Sequence, residues 1–278
     1  MEQTVLVAGS RTRYDRAGSG PVLVLLHGGG LDSARLTWSP MWPQLTAVAD
    51  VVAPDLPGFG RSDLGPTAPT LEGYRGWLAA FLDACGIERA VLGGLSLGGG
   101  IALRTAIDVP DRVLGLVLCA PYGVDPKVPG GRLGWATVQL PGLDRLSWAA
   151  LRHSRWMVRR TLGSLLRRPG AVTDALVDEV MALARQPDAG VAWRSFQRHE
   201  VRWSGPRTRF DRELAGIGCP VLLLAGEHDL IPPARVQAAA VQIPNAGFVL
   251  VPGAGHWLPR DAPEAVATQI IRSLPSTG

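Results

Sequence analysis

The sequence predicts an α/β fold built on a mostly parallel sheet. Three observations predict it. Short apolar runs each stop at a glycine, a proline or a polar residue. Segments of helical length separate them. The alternation halts after Pro121 and resumes at Val221. Unbroken apolar runs of this length read as strands buried on both faces. Strand–helix alternation reads as successive βαβ units.

The elements follow in order. The first residues, to about Arg16, read as an antiparallel hairpin at the sheet edge, with Gly9-Ser10 in its turn. Val22-Leu23-Val24-Leu25-Leu26 is a strand ending at His27-Gly28, and a helix-length segment lies near 40–48. Val51-Val52-Ala53 ends at Pro54-Asp55 and is followed by a helical stretch, 71–85. Ala90-Val91-Leu92 ends at Gly93-Gly94 and leads into a helix over 97–109. Val113 to Leu118 ends at Cys119-Ala120-Pro121.

From 123 to 213 the chain is rich in Pro, Gly, Trp and Arg, with helical patterns and no clear strand. Leu176, Val177, Val180, Met181 and Ala184 mark one amphipathic face there. At about 90 residues this insert is too long for a structureless loop. Val221–Ala225 is then a strand, Pro233–Val241 a helix and Phe248–Val251 a strand. Asp261 to Leu274 is the last helix, opened by an acid and a proline. The reading is a core of 1–122 and 214–278, interrupted by a helical insert over 123–213.

Composition excludes several classes. With 46% hydrophobic and 19% charged residues, the 278-residue chain is globular rather than disordered. The net charge of +4 gathers in two arginine-rich stretches, Arg152 to Arg168 and Arg198 to Arg209. Solvated helix faces on the insert account for these better than a polyanion site, so no nucleic-acid partner is expected. The three cysteines are far apart and lack metal-ligand spacing, so neither disulfide nor metal is expected. The N-terminus lacks a basic start followed by an apolar segment, and no apolar run is long enough for a membrane span. A cytoplasmic protein is expected, as monomer or homodimer.

Gly94-Leu95-Ser96-Leu97-Gly98 follows a buried strand and precedes a helix. That context gives the G-x-S-x-G pattern its meaning. The sharp reversal forces Ser96 into a strained conformation, and the flanking glycines remove side chains that would collide. The hydroxyl then stands at a helix N-terminus, where negative charge is favoured.

A serine hydroxyl needs a base to become a nucleophile. Of five histidines, His153 and His199 lie among arginines, and His27 ends a strand, where its ring would hold loop backbone. His228 adjoins Asp229. His256 lies in Gly253-Ala254-Gly255-His256-Trp257, after the last strand, on the same sheet edge as Ser96. His256 is the expected base. Asp229, in Gly226-Glu227-His228-Asp229, is the expected partner that orients it, with Asp125 as a competitor and Glu227 serving the loop. The amide of Leu97 and one from Gly28-Gly29-Gly30 are the expected oxyanion donors, with Gly29 assigned and Gly28 as substitute. The glycine run lacks the residues of a nucleotide site, so no cofactor is implied.

The chain resembles the α/β-hydrolase superfamily over nearly its whole length. The matching residues are Leu26-His27-Gly28-Gly29-Gly30, Pro54 to Ser62, Gly94 to Gly99, Gly226 to Asp229 and Gly255-His256. The resemblance implies a sheet of roughly eight strands flanked by helices, with the insert as a cap or lid over the site. Ser96 sets the chain apart from the branches that use an aspartate nucleophile. Within the serine branch it is similar to carboxylesterases and to the meta-cleavage-product C–C hydrolases. It departs from the latter in two places. Leu258-Pro259-Arg260 stands where that group carries Gln-x-Glu, and Glu179-Val180 falls where it carries an arginine in the cap.

Those departures make a carboxylic ester the expected substrate, and the large side chains of the cap make a hydrophobic one, aromatic or medium-chain acyl, the expectation. The alternatives are C–C hydrolysis, a cyclase or lyase step on the same fold, and a non-catalytic small-molecule receptor. Gly28, Trp135, Trp156, Trp193 and Trp257 are the expected substrate-binding residues, since cap aromatics can wall an apolar pocket.

Overall fold

A computed structural model describes residues 1–127, 131–140 and 142–275. The chain opens with an antiparallel hairpin, β1 (Glu2–Val7) and β2 (Ser10–Ala17). Its turn is Ala8-Gly9, one residue earlier than expected, and both residues have positive φ (49° and 81°). Two positive φ values match the twist of a tight hairpin, so the register shifts to place Gly9 second.

β3 (Val22–Leu26) ends at the glycine loop. The helix expected near 40–48 is instead α1 (Ala34–Trp38), a 3-10 turn (Ser39–Met41) and α2 (Trp42–Thr46). Pro40 and Pro43 cannot donate to a continuous helical ladder, so the element breaks at them, and the 3-10 turn and α2 each carry a proline near the start. β4 (Asp50–Pro54) follows. α3 (Leu71–Ala84) is capped by Thr70, whose hydroxyl accepts from the Gly73 amide at 3.0 Å. β5 (Ala90–Leu95) runs into α4 (Leu97–Asp108), and β6 (Val113–Cys119) closes this half.

Between β6 and the next sheet strand lie α5 (Gly131–Gln139), α6 (Leu143–His153), α7 (Arg155–Leu165), α8 (Asp174–Ala184) and α9 (Val191–Glu200). The buried face of α8 is the expected one: Leu176, Val177, Val180, Met181 and Ala184. This segment also holds a short antiparallel ladder, β7 (Val201–Arg202) with β8 (Gly205–Pro206), which no sequence pattern announced. β9 (Val221–Gly226), α10 (Pro233–Gln242) and β10 (Ala246–Val251) complete the sheet. The expected last helix divides into α11 (Leu258–Asp261) and α12 (Pro263–Arg272).

The sheet has eight strands in the order β1-β2-β4-β3-β5-β6-β9-β10. Only β1/β2 and β2/β4 pair antiparallel. One apolar layer packs α3, α4 and α10 on one face, and a second packs α1, α2 and α12 on the other. β5 is buried along its whole length, as a central parallel strand must be. Among the described residues no helix is long and apolar enough to cross a membrane. The three cysteines are free thiols. The arginine-rich stretches are in part neutralised locally: Arg155 pairs with Asp174 and Asp178, Arg159 with Asp174, and Arg209 with Asp211.

Candidate active site

The junction of β5 and α4 fixes Ser96. Its φ and ψ are 48° and −110°, outside the regions open to an ordinary residue. Strain of this kind costs about 1–3 kcal/mol and persists only where neighbours over-determine it. Here the Ser96 amide donates to the Cys119 carbonyl at 2.9 Å, and its carbonyl accepts from Tyr122 at 2.8 Å and Gly100 at 2.9 Å. A Cβ at Gly98 would run into the Leu26 carbonyl, and one at Gly94 into the Gly98 backbone. Both glycines are steric requirements of the turn. As the first residue of α4, Leu97 has no intrahelical acceptor for its amide, which faces the Ser96 end of the helix.

Asp229 and His256 meet at the ends of β9 and β10. His256 Nδ1 and Asp229 Oδ1 are 2.7 Å apart, and Oδ1 also accepts from the Ile231 amide at 2.9 Å. The Asp229 side chain is fully buried and the His256 side chain is 14% exposed. A carboxylate can only accept here, so Nδ1 carries the hydrogen and Nε2 is left to take a proton. Asp229 Oδ2 is buried with no hydrogen-bond partner among the described residues. The Cys119 thiol is pushed well above the ordinary thiol range by burial and secondarily by the Asp229 charge, so it stays protonated. Asp125 accepts from the Lys127 amide at 3.1 Å and stands 3.9 Å from Arg235, so it is engaged away from His256. Glu227 accepts from the Gly253 amide at 2.9 Å, the loop role expected of it.

The glycine loop is clamped on both sides of Gly28. Its amide donates to Asp32 Oδ2 at 2.9 Å. Its carbonyl lies 2.8 Å from His27 Nδ1, and His27 Nε2 accepts from the Leu56 amide at 3.0 Å. That second bond fixes the tautomer, so Nδ1 donates to Gly28. Burial holds His27 below the ordinary imidazole value, against the nearby Asp32, and keeps it neutral. In a trans peptide the N–H opposes the C=O, so the grip on the Gly28 carbonyl also sets the direction of the Gly29 amide. Gly28 itself, the substitute donor, spends its amide on Asp32.

Ser96 and His256 line one cavity of about 490 Å³ together with Gly28, Gly29, Trp193 and Trp257. Among the described residues no hydrogen bond joins the Ser96 hydroxyl to the His256 ring, a loose geometry common in unliganded sites. The Trp193 ring lies against Gly29, where any Cβ would strike it, and stacks on Phe196 with centroids 5.6 Å apart. Two expected wall residues are elsewhere. Trp135 packs edge-on against Trp203, and Trp156 is 66% exposed beneath Arg160. Neither lines the cavity. Their helices turn other residues inward: Thr137 and Val138 from α5, and Val158, Leu162 and Leu165 from α7, while Trp148 reaches the cavity from α6.

Sequence reasoning missed several participants. Glu200 at the end of α9 is fully buried and accepts from Tyr122 Oη at 3.1 Å and the Thr208 amide at 3.0 Å. Burial, and then Glu200, push the Tyr122 phenol far above its usual range. Asp261, expected to open the last helix, instead accepts amides from Gly255 (2.6 Å), Arg167 (2.9 Å) and Arg168 (3.0 Å). It thereby ties the His256 loop to the insert. Asp55 was not missed: it lies in the Pro54 to Ser62 segment that carries the family resemblance, and it holds the amides of Ala34 (2.8 Å) and Arg61 (3.0 Å).

A strained serine after a central strand and a buried Asp–His pair at one sheet edge are features of a particular fold. A family model described as "Alpha/beta hydrolase family" matches residues 23–269. The chain belongs to the alpha/beta hydrolase family. Among curated relatives, it is 28% identical to 2-hydroxy-6-oxo-2,4-heptadienoate hydrolase of Pseudomonas putida, covering 91% of this chain and 89% of that one. It is also 28% identical to carboxylesterase YbfK of Bacillus subtilis, over 91% of this chain and 80% of that one. Among solved structures, meta-cleavage product hydrolase CumD of Pseudomonas fluorescens IP01 superposes with a TM-score of 0.82 at 24% identity, covering 97% and 96% of the two chains. At that identity the likeness shows the fold.

Proposed function

We propose that the protein is a serine hydrolase that cleaves a hydrophobic carboxylic ester through an acyl-enzyme. The observation that carries this reading is the meeting of Ser96, in its strained turn, with the Asp229-bound His256 ring at one apolar cavity. In this reading His256 Nε2 takes the Ser96 proton as the hydroxyl oxygen attacks the acyl carbon. Asp229 steadies the imidazolium. The amides of Leu97 and Gly29 receive the developing oxyanion. The imidazolium then protonates the departing alcohol, and a water activated by the same ring releases the acid and frees Ser96.

Residues 123–213 act as the cap in this reading, with Trp148, Trp193 and Phe196 forming apolar walls for the acyl or alcohol group. An ester is favoured over a dienol carboxylate because Glu179 stands where the C–C hydrolases carry their cap arginine. Glu179 is paired with Arg260 at 2.9 Å.

The test is labelling with a fluorophosphonate, with the adduct mapped by mass spectrometry, beside turnover of a panel of p-nitrophenyl esters. A single adduct on Ser96 and turnover of the apolar esters are expected. An adduct elsewhere, or no turnover at any chain length, sinks the reading.

A further inference from the structure

Asp32 is an acid with no role in the chemistry above. It is 5% exposed and sits at the start of α1, beside the glycine loop. Four hydrogen-bond contacts converge on it. Oδ2 accepts from the Gly28 amide at 2.9 Å and Oδ1 from the Ser33 amide at 2.7 Å. The Thr37 hydroxyl lies 2.7 Å from Oδ1 and 2.8 Å from Oδ2. Thr37, fully buried, in turn lies 2.9 Å from the indole nitrogen of Trp257.

The direction of this chain follows from the groups themselves. An indole N–H can only donate, so the Thr37 oxygen must accept from Trp257. The single Thr37 hydrogen is then directed at Asp32. The two backbone amides can also only donate. Every hydrogen of the chain therefore runs from the residue after His256 toward one carboxylate, and that carboxylate holds the His27–Gly28 peptide, next in the loop to the peptide that carries the Gly29 amide.

We propose that Asp32, Thr37 and the Trp257 indole form a strut that sets the oxyanion loop at a fixed distance from the base loop, making Asp32 a positioning residue for the reaction. The inference rests on the serine-hydrolase reading. Its physical content is a demand for relative placement. Ser96 and the Leu97 amide ride on α4, while Gly29 and His256 ride on two loops separated by more than two hundred residues of chain. The strut is a direct hydrogen-bonded link between those two loops. A buried acid serving stability alone has no need to end on the Gly28 amide at one side and on the neighbour of the base at the other. Burial pushes the Asp32 carboxyl upward, and the nearby His27, then the hydrogen bonds from Thr37, Ser33 and Gly28, oppose that rise.

The experiment compares the native chain with Asp32→Asn, Thr37→Val, Thr37→Ser and Trp257→Phe. The readout is the second-order rate of Ser96 phosphonylation by a fluorophosphonate, with kcat and KM on the best p-nitrophenyl ester. Circular dichroism and thermal melts identify any variant that does not fold. Misplacing an oxyanion donor by a fraction of an ångström should slow phosphonylation and kcat by about 10- to 100-fold while KM moves less than about threefold. Thr37→Ser keeps the hydroxyl and should stay within about twofold of native. Thr37→Val should fail like Asp32→Asn, and it carries the test if the latter does not fold.

Native rates in a folded Asp32→Asn or Thr37→Val would overturn the strut and leave the hydrolase reading standing. A loss confined to KM, or Thr37→Ser as poor as Thr37→Val, would also overturn it. Failure of the native chain to label at Ser96 would remove the hydrolase reading and the strut together.

Discussion

The sheet edge and the helical insert contribute to the same cavity by different means. At the sheet edge, position is set mainly by main chain, in the strained Ser96 turn and the clamped Gly28 peptides, with one buried side-chain bond between Asp229 and His256. The insert reaches the cavity through side chains of amphipathic helices whose outer faces carry exposed ion pairs such as Arg155 with Asp174. Backbone placement is rigid and intolerant of change, whereas a helix face can exchange one apolar residue for another. On the proposed serine-hydrolase reading, the difference makes the reaction and the choice of substrate separable in this molecule.

That separation can be broken or sharpened by substitution. Ser96→Ala should lower kcat by about 10⁴-fold or more, measured by ester turnover, with the fold intact by circular dichroism. Retained turnover would mean that the chemistry does not pass through the sheet edge. Gly29→Ala strikes the seam between the regions, since its methyl runs into the Trp193 ring. It should cost about 100-fold in kcat/KM and act mainly through kcat, whereas a KM effect alone would assign Gly29 to the pocket wall.

Within the insert, Trp148→Ala should raise KM for the longer acyl esters about tenfold and spare the acetyl ester. The exposed Trp156→Ala should change neither by more than about twofold. Equal effects of the two would erase the distinction between inward and outward helix faces.

The smallest expected effect is a pH dependence of stability. Burial lowers the folded-state value of His27, so the unfolded chain takes up the proton first as acid is added. The neutral ring therefore contributes its full stability above about pH 6.5, and that contribution is lost as pH falls below it. Asp32 and Asp55, raised by burial, act in the opposite sense in both the native chain and a variant. Between about pH 7 and pH 5 the Tm of the native protein should thus fall more steeply than that of His27→Gln. Parallel slopes would show that His27 is not held neutral.

The sheet edge was legible in the sequence because strands declare themselves and the site lies where they end. Ser96, Asp229 and His256 each follow a continuous apolar run, so their proximity follows from topology. The cavity walls were less legible because an aromatic residue does not say which way it faces. The pattern on α7 held the answer. Val158, Leu162 and Leu165 recur at helical spacing, and Trp156 lies about 200° around the axis from Val158. The strut was invisible for another reason. Thr37 and Trp257 are 220 residues apart, and each alone is an ordinary core residue. Asp261 was misread because an acid before a proline fits a helix start, while its side chain turns back to the His256 loop.

Asp261 has a consequence for how the molecule opens. One carboxylate gathers the amides of Gly255, Arg167 and Arg168, and the Trp257 amide donates to the Leu165 carbonyl at 3.2 Å. The loop that carries His256 and the end of α7 therefore share one set of acceptors. In hydrogen–deuterium exchange these four amides should open as one cooperative unit, with similar protection. Grafting a foreign segment in place of the insert would then disorder the histidine loop unless the graft also supplied main-chain donors for Asp261.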